Sequence, residues 1–186
     1  DKTEFLWKLV SERKGIYFLS RPRRFGKSLT ISTLEAIFRG KRELFKGLAI
    51  AGKPYDWKEY PVLHLNFADC AATTPETLKK YLVVQLRFLC QNAGVSMTID
   101  ADQPGNSFSE LICLMSARGG VVILVDEYDK PLLNMLSDET MMREMLPVMK
   151  GFYSAIKKCE EYERFVFVTG VTKFCHVSLF SDLNNL

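Results

Sequence analysis

Residues 16–28 read IYFLSRPRRFGKS, and the fold turns on how the last nine, SRPRRFGKS, are taken. The phosphate-binding loop pattern asks for Gly, four free positions, then Gly-Lys-Ser or Gly-Lys-Thr. Gly26, Lys27 and Ser28 stand where that pattern needs them, but Arg21 occupies the place of the leading glycine. Gly-Lys-Ser alone is a weak signal, and its setting strengthens it. It follows an apolar run of strand formers, IYFLS, and leads into residues 29–39, where Ile31, Leu34, Ile37 and Phe38 recur at helical spacing. At such a turn the first backbone N–H groups of the helix lack intrahelical partners and point at a bound phosphate. Lys27 would reach the β- and γ-phosphates of a nucleotide, and the Ser28 hydroxyl would ligate Mg²⁺. Gly26 lets the backbone come close with no Cβ in the way. Pro22 biases Arg21 toward extended backbone with negative φ, so Arg21 changes the turn without emptying the cradle. The nucleotide-contacting candidates are therefore Arg21, Pro22, Arg23, Arg24, Phe25, Gly26, Lys27, Ser28 and Leu29. Against this stands a solvated basic loop, in which Arg23 and Arg24 meet only water or a neighbouring subunit.

Three further runs read as strands: residues 62–67 (VLHLNF), 121–125 (VVILV) and 165–169 (FVFVT). The last two are almost continuously apolar, which suits strands buried on both faces of a parallel sheet. Helices are expected between them over residues 75–93, capped by Thr74 and stopped by Gly94, over 108–118, and over 138–162. Pro147 lies inside the last of these and is expected to kink or split it. Strands alternating with helices predict an α/β, three-layer sandwich with a mainly parallel sheet.

A phosphate loop needs an acidic partner on a neighbouring strand. VVILV runs into Asp126 and Glu127, at the carboxyl end of a buried strand, where open α/β sheets bind ligands. Asp126 is expected to hold Mg²⁺ and Glu127 to orient and deprotonate an attacking water. Asp129 is open between local helix capping and support of the site. The turn after FVFVT is expected to bring Thr169, Thr172 or Lys173 within reach of the γ-phosphate or the attacking water as a sensor, Thr172 counting with the nucleotide-contacting candidates, and a plain strand-ending turn is the alternative.

Composition narrows the field. A net charge of +3 over 186 residues is too small by itself to argue for nucleic acid or a membrane surface. No apolar run is long enough to span a bilayer, and no signal-peptide pattern opens the chain. The five cysteines (Cys70, Cys90, Cys113, Cys159, Cys175) form no CxxC pair, and most sit in apolar segments. Buried free thiols in a reducing, cytoplasmic setting are the expectation. Met141, Met142, Met145 and Met149 are read as helical core rather than a binding surface, and His64 as a satisfied core histidine.

Taken together, DKTEFL, RPRRFGKSL, PVLHLNF, VVILVDEYDKPLL and FVTGVTKF resemble the predicted AAA-ATPase-like family over essentially the whole chain. The family looks like a branch of the P-loop ATPases that inserts a strand between the phosphate loop and the acidic strand. It is similar to ATPases whose loop reads Gly-Pro-Arg-Arg-x-Gly-Lys-Thr, so Arg21 stands where that group has glycine. The resemblance implies ATP as ligand, Mg²⁺ as cofactor, and strand order 5-1-4-3-2. Position five is empty here, which leaves 1-4-3-2 and makes Ile16–Ser20 a sheet edge unless residues after Phe174 cover it. Such an edge invites self-association. Residues 1–186 are thus expected to be one P-loop ATPase-like domain of a longer protein. Full-length members often carry a restriction-endonuclease-like domain downstream, and this chain lacks it. The expected activity is ATP hydrolysis driving a motor or switch, catalysed by Glu127 and Lys27. Rivals are a nucleotide-gated binding module with little turnover, a small-molecule kinase, and a domain binding nucleic acid or protein partners through the basic loop or missing regions.

Overall fold

The computed structural model describes residues 1–12 and 14–172. Four strands form one sheet: β1 (Ile16–Ser20), β2 (Val62–Asn66), β3 (Val121–Asp126) and β4 (Glu163–Gly170), in the order β1-β4-β3-β2. Every pairing is parallel. The order matches expectation, and among the described residues β1 has β4 as its one neighbour. Whether anything lies on its other side falls to residues after 172, outside the described set.

Alternation along the strands sorts the core into two layers. Val121, Ile123, Val125, Val166, Val168, Leu63 and Leu65 pack on one face, against α3 (Pro75–Ala93), α4 (Pro104–Ser116) and α6 (Glu139–Lys158). Val122, Leu124, Phe165, Phe167 and Val62 pack on the other, against α1 (Thr3–Ser11) and α2 (Lys27–Phe38). The result is the three-layer α/β sandwich. A fifth helix, α5 (Lys130–Leu133), is a single turn after β3.

Local chemistry accounts for the helix ends. Thr74 Oγ1 accepts from Thr77 N–H, Pro75 fills the first turn, and Gly94 ends α3 in the left-handed region at φ 62°. Three boundaries move. The second helix begins at Lys27, inside the phosphate loop motif, so Gly26 is its N-cap. The fourth begins at Pro104, whose missing N–H costs nothing in the first turn. The sixth runs unbroken through Pro147 and ends at Lys158, ahead of a short 3₁₀ turn at Glu160–Tyr162. Pro147 and Arg143 are both exposed, so the carbonyl that the proline leaves without a donor faces water. Met145, Met149, Phe152, Tyr153 and Ile156, on both sides of the proline, are buried and hold the helix in register.

Met145 and Met149 are fully buried, and Met141 and Met142 pack beside them, so the methionines are core as expected. Cys70, Cys90 and Cys159 are buried free thiols, whereas Cys113 is exposed on the outer side of α4. His64 is half-buried. Its Nδ1 lies 2.9 Å from Glu35 Oε2, but its Nε2 is buried with no partner among the described residues, so the expectation of a satisfied ring is met on one side only. That hydrogen bond, with help from Arg39, depresses the Glu35 carboxyl to about 2. No described helix is long and apolar enough to cross a membrane.

Candidate functional site

The loop of residues 21–26 leaves β1 on backbone contacts. Arg21 N–H donates to Gly170 O at 3.1 Å and Ser20 Oγ donates to Val171 O at 3.1 Å, so the loop starts fastened to the end of β4. Arg21 is not among the residues with positive φ, which is why it can stand for the usual glycine. Two later residues make the turn instead: Arg24 at φ 65° and Gly26 at φ 75°. A left-handed arginine is uncommon and strained by of order 1 kcal/mol or more. Residues 21–26 are all exposed, Phe25 at 66%, as are Ser28 and Leu29. The first intrahelical backbone bond of α2 runs from Thr30 N–H to Gly26 O, leaving the preceding N–H groups at the helix start to face outward.

Lys27 is the exception to this exposure. It is buried at 5%, and its Nζ donates to Arg21 O and Pro22 O, each at 3.0 Å. The ammonium therefore sits inside the loop, bonded to the loop's own carbonyls, with one of its three donors left for another acceptor.

The acidic half lies on the next strand but one. With strands ≈ 4.8 Å apart, β1 and β3 stand roughly 10 Å from each other, and β4 ends between them. Asp126 closes β3 at 2% exposure, and its Oδ1 accepts the hydroxyl of Thr169. Among the described residues its Oδ2 accepts no hydrogen bond. Glu127 follows in the left-handed region at φ 52°, half-buried, with its N–H 3.4 Å from Thr169 Oγ1. A non-glycine residue held there is the kind of local strain that clusters at functional sites.

Asp129 does not cap its own helix. α5 has no side-chain cap bond, and the carboxylate reaches across to the turn that follows β4 instead. There Oδ2 accepts from Val171 N–H at 2.9 Å, Thr172 N–H at 2.8 Å and Thr172 Oγ1 at 3.1 Å. Tyr128, which the sequence reading passed over, is fully buried; its N–H donates to Thr169 O and its hydroxyl to Thr172 O. Its place between Glu127 and Asp129 was the available signal. Thr169 and Thr172 thus both meet the acidic turn, through Asp126 and Asp129 respectively, while Lys173 lies outside the described residues.

No cluster of three or more His, Cys, Asp or Glu side chains that could hold a metal occurs among the described residues. A hydroxyl, one carboxylate, phosphate oxygens and water make up the kind of site Mg²⁺ takes on a nucleotide, and Ser28 and Asp126 carry groups of that chemistry.

The family described as Predicted AAA-ATPase matches residues 1–180. The chain belongs to that family. An uncharacterized protein in the vnfD 5′ region of Azotobacter chroococcum mcd 1 is 41% identical over 189 residues, covering 100% of this chain and 36% of that protein. The chain thus spans about a third of the length of the curated relative it matches. Membership in the predicted AAA-ATPase family supports an ATPase-like role with ATP as ligand.

Proposed function

We propose that residues 1–186 form the nucleotide-binding domain of a longer protein, which binds ATP with Mg²⁺ and hydrolyses it as a motor or switch. The observation that carries this reading is the convergence of two motifs at one end of the sheet. The Arg21–Gly26 turn hangs on the end of β4, and so do Asp126 and Glu127 through Thr169. In the proposed site, Lys27 exchanges its two loop carbonyls for β- and γ-phosphate oxygens, and the α2 N-terminal N–H groups take the remaining phosphate charge. Arg21, Pro22, Arg23, Arg24, Phe25 and Leu29 would line the nucleotide, beside an apolar groove of about 880 Å³ between α1 and α2 that has room for a base and ribose. Ser28 and Asp126 would hold Mg²⁺, which when bound neutralises charge on the phosphate oxygens. Glu127 takes a proton from water as its oxygen attacks the γ-phosphorus, and ADP leaves. A water-activating carboxylate directly after Asp126 is what favours hydrolysis over transfer to a metabolite.

Calorimetric titration of ATP with and without Mg²⁺ tests the reading, on the parent chain and on Asp126→Asn. Binding that tightens with Mg²⁺ in the parent and loses most of that gain in Asp126→Asn is expected. Equal affinity with and without Mg²⁺ in the parent would remove Asp126 and Ser28 from the metal site. The second reading, a nucleotide-gated module with little turnover, draws on Lys27 already resting on loop carbonyls, and it predicts binding without phosphate release.

A further inference from the structure

Asp129 is the one carboxylate of the acidic turn that the proposed reaction leaves unused. It is fully buried, and three donors, two of them backbone N–H groups, converge on a single oxygen. Its partners lie 42 and 43 residues further along the chain, so the contact joins two separate pieces of backbone. Tyr128 clamps the same piece at both ends, through Thr169 O and Thr172 O. Between these bonds Gly170 passes so close that a Cβ there would meet the Tyr128 ring at 2.1 Å and Asp129 Oδ1 at 3.0 Å. The same four-residue piece carries Thr169, whose hydroxyl donates to Asp126 Oδ1.

We infer that Asp129 is a positioning residue: it clasps the β4 turn, residues 170–172, against the acidic turn and so holds Thr169 on Asp126 and behind Glu127. The inference rests on the ATP reading above and deepens it. It also reassigns Thr172. A hydroxyl has one proton, and Thr172 gives it, with its N–H, to Asp129 Oδ2. While the clasp is closed Thr172 has neither to offer a phosphate, so its part is anchorage, and Thr169 is the hydroxyl in touch with the proposed metal-holding carboxylate. Removing the Asp129 carboxylate leaves the N–H groups of half-buried Val171 and Thr172 without an acceptor, a cost the turn lowers by moving toward water.

Turnover at saturating Mg-ATP and ATP affinity without Mg²⁺ are to be measured on the parent, Asp129→Ala, Asp129→Asn and Thr172→Val. Asp129→Ala is expected to lose at least tenfold in turnover per folded molecule, while its Mg²⁺-free affinity, read by a loop bonded to the same turn at Gly170 and Val171, falls by no more than about threefold. Asp129→Asn, which keeps an acceptor oxygen, should recover part of the loss and serves if the alanine variant does not fold. Thr172→Val removes only the hydroxyl and should stay within threefold of the parent. Turnover in the Asp129 variants equal to the parent's would overturn the clasp, as would a Mg²⁺-free affinity that falls in step with turnover. A Thr172→Val loss in turnover as large as that of Asp129→Ala, with Mg²⁺-free affinity falling by the same factor, would put the Thr172 hydroxyl on the substrate instead. If the parent binds ATP without hydrolysing it, hydrolysis fails as a reading, and the Mg²⁺-dependent gain in affinity decides the clasp. That gain should shrink at least threefold in Asp129→Ala, and an unchanged gain counts against it. A parent that binds no nucleotide overturns both.

Discussion

Residues 21–26 and residues 126–129 lie at the same end of the sheet and are built in opposite ways. The first are exposed throughout, turn on a left-handed Arg24 and Gly26, and take their form from backbone geometry and the Lys27 ammonium folded onto two carbonyls. The second are buried or half-buried and cross-bonded to β4 through Asp126, Tyr128 and Asp129. The difference follows from what each half is proposed to meet. Phosphate brings its own charge and many acceptors, so a loop of N–H groups and cations can stay open until the ligand completes it. Carboxylates that must present one face to a metal and a water gain from having the other face already bonded, because dipoles fixed in advance need no rearrangement during reaction.

This contrast predicts that exchanges in the acidic turn change rate, stability or the Mg²⁺-dependent part of binding, whereas exchanges in the loop change affinity with or without Mg²⁺. The largest expected effect is on rate. Glu127→Gln keeps shape but removes the proposed base, and should lower turnover by ~10²–10⁴ with little change in ATP affinity. Single-turnover phosphate release at saturating ATP reads it, and a parental rate would take Glu127 out of the reaction. Next, Lys27→Ala should weaken ATP binding by roughly tenfold to a hundredfold, the worth of one charge-assisted contact of ~1.5–3 kcal/mol. Equal affinity in a folded variant would leave the loop a solvated basic turn.

Two glycines, one in the loop and one packed on the acidic turn, should show smaller effects. Gly170→Ala forces a methyl into the Tyr128 ring, and should cost about 1–3 kcal/mol, or a Tm lowered by several degrees. Gly26→Ala meets nothing within 4 Å but must hold φ 75°, so about 1–2 kcal/mol of backbone strain is expected, with ATP affinity falling as the loop shifts. Thermal melts with and without ATP separate the two. A Gly26→Ala that loses stability but no affinity would erase the distinction between the halves.

The smallest effect concerns a group outside the site. Both Glu163 carboxylate oxygens are buried without a partner among the described residues. Burial, and then the charge of Glu160, push its pKa from 4.5 up to about 8. The folded state therefore holds a proton that the unfolded state gives up, and stability should fall as pH rises from 4.5 to about 8. Glu163→Gln should raise Tm by about 5 °C at pH 8 and by much less at pH 5. A uniform shift at both pH values would place the effect in packing rather than ionisation.

Much of the architecture was legible because it rests on local pattern. The apolar runs at β1 to β4 and the Thr74 and Gly94 signals of α3 each carry their cause within a few residues. The first helix was not read, although Leu6 and Val10 are buried at helical spacing. It has no side-chain N-cap bond, and its start is tied down by Asp1 and Thr3 to the N–H groups of Ala49 and Ile50, 48 and 47 residues away. Pro147 misled for the converse reason: a strong local breaker was outweighed by a buried face that continues on either side of it. At the site, Gly-Lys-Ser and the Asp126–Glu127 pair stand out by motif. The Asp129 clasp does not, because nothing in DEYDKP says that its last carboxylate bonds a turn 42 residues downstream.

Whether the loop and the acidic turn act on one nucleotide is read from phosphate release by the parent chain given ATP. The assay follows inorganic phosphate with Mg²⁺ present and with Mg²⁺ chelated. Phosphate should appear in step with ADP when Mg²⁺ is present, and not at all once it is chelated. ATP bound but never cleaved, or its γ-phosphate recovered on an acceptor other than water, would contradict that joint action.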